Sequence, residues 1–78
     1  MSFSELDTVV LVRDMPEAGL RTGDLGAIVQ VYADDAVEVE FVTASGRTLA
    51  LQTLASRDLR MVRDDDLLAV RPAARGAA

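Results

Sequence analysis

The run Val37-Glu38-Val39-Glu40-Phe41 constrains this chain more than any other stretch. Apolar and acidic residues alternate without a break, and a period of two belongs to a strand with one buried and one wet face. Ahead of it lies Gly23-Asp24-Leu25-Gly26-Ala27-Ile28-Val29-Gln30-Val31-Tyr32. Two glycines with an acid between them form a turn there, and the turn opens a β-branched run. Ala33-Asp34-Asp35-Ala36 closes the hairpin, although no Asn-Gly or Asp-Gly pair sets its turn type. Ile28 and Val31 are both core candidates yet stand three apart, so a β-bulge near Val29-Gln30 is predicted to turn both inward.

The flanking segments extend this pattern. Thr8-Val9-Val10-Leu11-Val12-Arg13 reads as a first strand with apolar residues on both faces. One of the pairs Val9/Leu11 and Val10/Val12 must therefore point away from the core, towards the terminal strand, a loop or another subunit. Asp14 to Thr22 is irregular: Pro16 bars a central strand and Gly19 permits a positive φ. Met15 and Leu20 are expected to cap one end of the core from this long loop. Thr43-Ala44-Ser45-Gly46-Arg47 is a second hairpin loop, with Gly46 in a left-handed position. Thr48 to Leu54 is predicted as a fourth strand with Leu49 and Leu51 inward and Gln52 outward, against a two-turn helix as the local competitor.

Ala55-Ser56-Arg57-Asp58 suits a single 3₁₀ turn, and Leu59 to Arg63 a short fifth strand that pairs with the first. Asp64-Asp65-Asp66 is expected to end the ordered region, with Leu67-Leu68-Ala69-Val70 extending the last strand or docking as an appendage. From Arg71 the chain reads as a frayed tail. The element order predicts an all-β fold, a small five-stranded SH3-like barrel over residues 1–66, followed by a flexible extension over 67–78.

Composition removes most chemistry. The 78 residues leave room for one domain with a small core, which oligomerisation would supplement. With no cysteine and no histidine there is no disulfide, no thiol chemistry, no ordinary zinc site and no histidine-based acid–base mechanism. All eight basic residues are arginine. Up to Asp66 the 13 acids face 6 arginines, a net charge of −7, and such a surface repels a phosphate backbone. Met1 to Glu5 lacks both the basic and the apolar segments of a signal peptide, and no apolar run reaches the ~20 residues that cross a bilayer. A cytoplasmic protein without a membrane role is expected.

No catalytic residue is assigned. The only nucleophiles are hydroxyls with neither histidine nor lysine beside them, so no enzyme activity and no cofactor are expected. Asp64-Asp65-Asp66 lacks the spaced ligands of a calcium loop and reads as a solvated run, so no metal is expected. A protein-binding surface is the reading that remains, built from Asp14, Glu17, Tyr32, Asp34, Asp35, Glu38 and Glu40 and suited to a partner with a basic surface. The alternative is nucleic-acid binding, supported only by the Arg57, Arg60 and Arg63 cluster and disfavoured by the scarcity of exposed aromatics.

Glu5 to Leu11, Arg13 to Leu20, Gly23 to Tyr32, Val37 to Val42, Thr53-Leu54 and Asp58-Leu59-Arg60 together resemble a bacterial family of small proteins of unknown function. The resemblance covers roughly residues 5–62. It departs after Arg63, where this chain carries an extension that the family mostly lacks. Through Gly23, Gly26, Ile28 and Val31 the chain is also similar to the KOW motif of ribosomal and transcription factors, and more loosely to the SH3-like accessory subunits of electron-transport complexes. These similarities imply a fold and no activity. A small acidic protein of this kind is expected to serve as an accessory subunit, an antitoxin or an immunity-like partner of another protein.

Overall fold

Strands form where β-branched residues cluster between turn formers. In the computed structural model, which describes residues 3–33 and 35–73, these are β1 Thr8–Leu11, β2 Leu25–Ala33, β3 Ala36–Val42, β4 Thr48–Ala55 and β5 Leu59–Met61. Two 3₁₀ turns join them, Pro16–Ala18 inside the long loop and Ser56–Asp58 directly before β5. All ladders are antiparallel and the sheet order is β4-β3-β2-β1-β5. The last strand thus returns beside the first, with Val9 opposite Met61 and Leu11 opposite Leu59. β4 and β5 are the outer strands of this order, and no ladder joins them among the described residues.

β3 keeps its alternation: Val37, Val39 and Phe41 are buried while Glu38 and Glu40 face the other way. The predicted bulge is present in β2. Ile28 pairs with Val39 and Gln30 with Glu38, which leaves Val29 as the extra residue. Val31 lies opposite Val37, yet it is exposed and stands outside the core, so of the two expected core residues only Ile28 is buried. Gly26 is buried, and a Cβ there would stand 2.5 Å from Val39 Cγ1 and 3.0 Å from Phe41 Cε2. Only glycine leaves room there for the Val39 and Phe41 side chains.

The facing of β4 differs from expectation. Leu51, expected inward, lies opposite Glu40 on the outer face and is 52% exposed, whereas Gln52 lies opposite the buried Val39. Register decides this, since a slip of one residue exchanges the two faces of a strand. The pairing that sets Leu54 against Val37 makes Ala50, Gln52 and Leu54 the inner set. Leu49 still packs against the core, because a register shift intervenes between Phe41 and Val42.

Met15 and Leu20 bridge one another and are buried, as expected of caps on the core. The lead-in was expected to be merely polar, yet Phe3 belongs to the core. A local turn brings it there. Ser4 N donates to the Asp7 carboxylate at 2.8 Å, Leu6 takes a positive φ of 74°, and Leu6 N donates to Ile28 O at 2.8 Å.

β1 is buried on both faces. Val9 and Leu11 enter the core, and Val10, on the opposite face, is only 6% exposed. What covers Val10 defines the most distinctive surface of the molecule.

Candidate functional site

The predicted acidic set separates into two groups. On the outer face of β2 and β3, the Tyr32 hydroxyl donates to Glu38 and the Thr48 hydroxyl to Glu40. Tyr32 reaches Glu38 because the register shifts again between Val31 and Ala33. Asp35 follows at the exposed hairpin tip, where its carbonyl accepts from Ser56 N at 3.0 Å. Asp34 lies outside the described residues. The bond to Glu38 raises the Tyr32 phenol above its ordinary value, since ionisation would set two negative charges together.

Asp14 and Glu17 belong elsewhere, in the loop before β2. The nine residues of β2 separate that loop from the hairpin tip by about 26 Å of extended chain. Asp14 also has a structural duty: its carboxylate accepts from Thr22 N at 2.8 Å, and that bond holds its pKa below the ordinary carboxylate value. Glu17 is exposed on the 3₁₀ turn. The seven residues therefore do not form one site; Tyr32, Glu38 and Glu40 do share a face.

A second surface arises from the C-terminal segment. Contacts with the sheet do not stop at Asp66. Arg60, on β5, makes a two-pronged bond to Asp66 with both distances 2.9 Å. Farther on, Arg71 Nε donates to Asp24 Oδ1 at 2.9 Å while its Nη2 bonds Asp24 Oδ2 and the Gly19 carbonyl, the latter at 3.0 Å. Arg71, where a frayed tail was expected to begin, is instead a clamp across 47 residues of sequence. Residues 67–73 carry neither helix nor strand, and residues 74–78 lie outside the described residues.

Between the two ion pairs, residues 67–70 form a strap. Strap and sheet together line a groove of about 510 Å³, with Val10, Leu25, Phe41 and Val42 on the sheet side. Within the strap, Leu67 is 93%, Leu68 67% and Val70 97% exposed. Three large apolar side chains within four residues are thus exposed, where surfaces normally scatter them singly.

The ion pairs that pin the strap are directional, two-pronged contacts. Arg60 and the Arg63 amide hold the Asp66 carboxyl down at about 2. Burial pushes the Asp24 carboxyl up, but the bonds from Arg71 and from Arg21 N outweigh it and its pKa is lowered. A third pair, Arg13 to Asp58 at 3.1 Å, ties the end of β1 to the 3₁₀ turn. None of the three reaches Glu38 or Glu40.

Among the described residues no group of three or more potential ligand side chains could hold a metal ion, and no helix is long and apolar enough to cross a membrane. Nothing local marks Arg71 as the partner of Asp24; the one sequence hint is a basic residue beyond an acidic run. No curated protein and no solved structure matches the chain. Residues 5–61 match the family described as Domain of unknown function (DUF4926), so a span that begins ahead of β1 and ends with β5 is accounted for, and the chain belongs to that family.

Proposed function

We propose that this protein is a non-catalytic interaction module that binds a basic protein partner through the outer face of β2 and β3. One observation carries the reading: Glu38 and Glu40 stand two residues apart on one strand face, beside Tyr32, and among the described residues no arginine forms an ion pair with either. Carboxylates whose bonds are to the Tyr32 and Thr48 hydroxyls keep their full charge, and beside an exposed tyrosine they suit an arginine- or lysine-bearing partner and favour fast, salt-sensitive association. We also infer that the sheet is SH3-like, supported by the order β4-β3-β2-β1-β5 and by the 3₁₀ turn before β5. A cytoplasmic accessory, antitoxin or immunity-like role in a bacterium fits such a module.

Affinity capture from the source organism with the wild-type chain and with Glu38→Gln/Glu40→Gln tests this. A basic protein should be retained by the wild type and lost both in the variant and at raised salt. Salt-titrated RNA and DNA binding is measured alongside. Salt-sensitive nucleic-acid binding with no protein partner recovered would replace the proposal with a KOW-type nucleic-acid role.

A further inference from the structure

We infer that β4 receives an extended basic segment of the partner as an added strand, with arginine or lysine at alternate positions aimed at Glu40 and Glu38. The inference rests on the protein-binding reading above and names the form in which the partner meets the sheet.

The backbone of β4 supplies the first half of the argument. An edge strand points alternate N–H and C=O groups outward, and folds commonly guard them with charge, proline or brevity. β5, the other outer strand, is guarded: it is three residues long and carries Arg60. β4 runs for eight residues, Thr48–Ala55, with no charged residue, proline or glycine. A bulge at Leu49 bends its start, but Ala50 to Ala55 keep an unbroken register against β3. Among the described residues, no backbone bond outside that ladder involves Thr48–Ala55. The group that satisfies such a row of donors and acceptors is another strand.

The side chains select which strand. Leu51 lies opposite Glu40 and Thr53 opposite Glu38, so the two carboxylates stand one strand in from the edge on the outer face. A strand laid along β4 places its own alternate side chains on that face, about 7 Å apart along the chain and about 10 Å from β3. The two glutamates repeat with the same period. A basic side chain has the apolar stem to lie over Leu51, which is 52% exposed, while its charge reaches Glu40. Glu40 is the nearer target, since its carboxylate bonds the Thr48 hydroxyl on β4, whereas that of Glu38 bonds Tyr32 on β2. A second copy does not supply this strand: its β4 is uncharged, and two chains of net charge −5 repel.

Synthetic peptides test the inference, with binding read by fluorescence anisotropy and amide exchange by NMR. Two peptides share one composition, arginine alternating with threonine in the first and gathered into a block in the second. The alternating peptide should bind about tenfold more tightly, and outward amides within Ala50 to Ala55 should exchange more slowly in its complex. N-methylation of its backbone at alternate residues removes donors without altering the protein, and should weaken binding at least about tenfold. Glu40→Gln should weaken it by about tenfold, and Glu38→Gln by less. The chain alone should sediment at 8.3 kDa. Equal binding of the alternating and block peptides, both lost in Glu38→Gln/Glu40→Gln, overturns the added strand and leaves the acidic face as a binding surface. Failure of every basic peptide beside an intact partner capture that needs Glu38 and Glu40 does the same. An uncharged threonine–valine peptide that binds β4 as tightly overturns the basic segment, and a dimer of the chain alone with its β4 amides protected gives the edge to a second copy instead.

Discussion

β1 and β3 treat their second faces in opposite ways. β3 turns Glu38 and Glu40 away from the core, where they accept from the Tyr32 and Thr48 hydroxyls, whereas β1 turns Val10 away from the core and yet buries it. A charged second face needs no cover. An apolar one does, and here Val10 shares a groove with the chain beyond β5, which two arginine–carboxylate clamps hold beside the sheet. The alternation of β3 is thus complete within the strand, while the meaning of the unbroken apolar run in β1 rests on residues some 60 positions later, at Arg71.

The largest effect should come from the shared core, where neither strand's second face matters. Ile28→Ala is expected to cost about 2–5 kcal/mol in denaturant unfolding, since Ile28 is fully buried in the core opposite Val39. Val10→Ala should cost less, about 1–2 kcal/mol, because only the strap side is involved. A chain ending at Arg63 sharpens the comparison: there Val10→Ala should cost almost nothing, and the difference between the two costs measures the strap's contribution. Equal costs with and without the strap would mean that the groove wall contributes nothing to β1.

Smaller again is the clamp. Arg71→Ala should lower stability by about 1 kcal/mol and speed amide exchange around Gly19, whose carbonyl accepts from Arg71. Acid should have a related effect. Asp24 and Asp66 both titrate below the ordinary carboxylate value in the folded chain. Their contribution is therefore complete above 3.8, and it fades as the pH falls towards about 2 for Asp66. The arginine side-chain resonances of Arg60 and Arg71 should report the release, and Asp66→Asn should abolish the part of the acid dependence that belongs to Arg60. The least effect on stability is expected at Glu38→Gln and Glu40→Gln, within about 0.5 kcal/mol each by thermal unfolding. A larger loss would show that the acidic face is held by the fold rather than left for a partner.

What was legible in the sequence was local. The alternation of β3, the bulge after Ile28, the left-handed Gly46 and the 3₁₀ turn before β5 each follow from a few adjacent residues, and each is present. The inner face of β4 was not legible, because Leu51 and Gln52 are assigned by their partners on β3 and not by their own pattern. Phe3 was hidden for a similar reason: its burial depends on a turn at Leu6 whose positive φ is unusual for leucine. The candidate site divides along the same line. Tyr32, Glu38 and Glu40 were visible as neighbours on one hairpin, whereas the strap depends on pairing between Asp24 and Arg71, which no periodicity records.

The extra residue at Val29 bears on how this strand tolerates insertion and deletion. In an ordinary strand, losing one residue inverts every side chain beyond the cut, and a gap in a protein's coding sequence is then ruinous. Here the inversion has already been absorbed. With Val29 removed, Ile28 would still face Val39 and Gln30 would still face Glu38, now as direct neighbours on an unbroken ladder. The middle of β2 is thus a place where natural variants can differ in length by one while keeping the same residues inside, at the cost of the bend that the bulge confers.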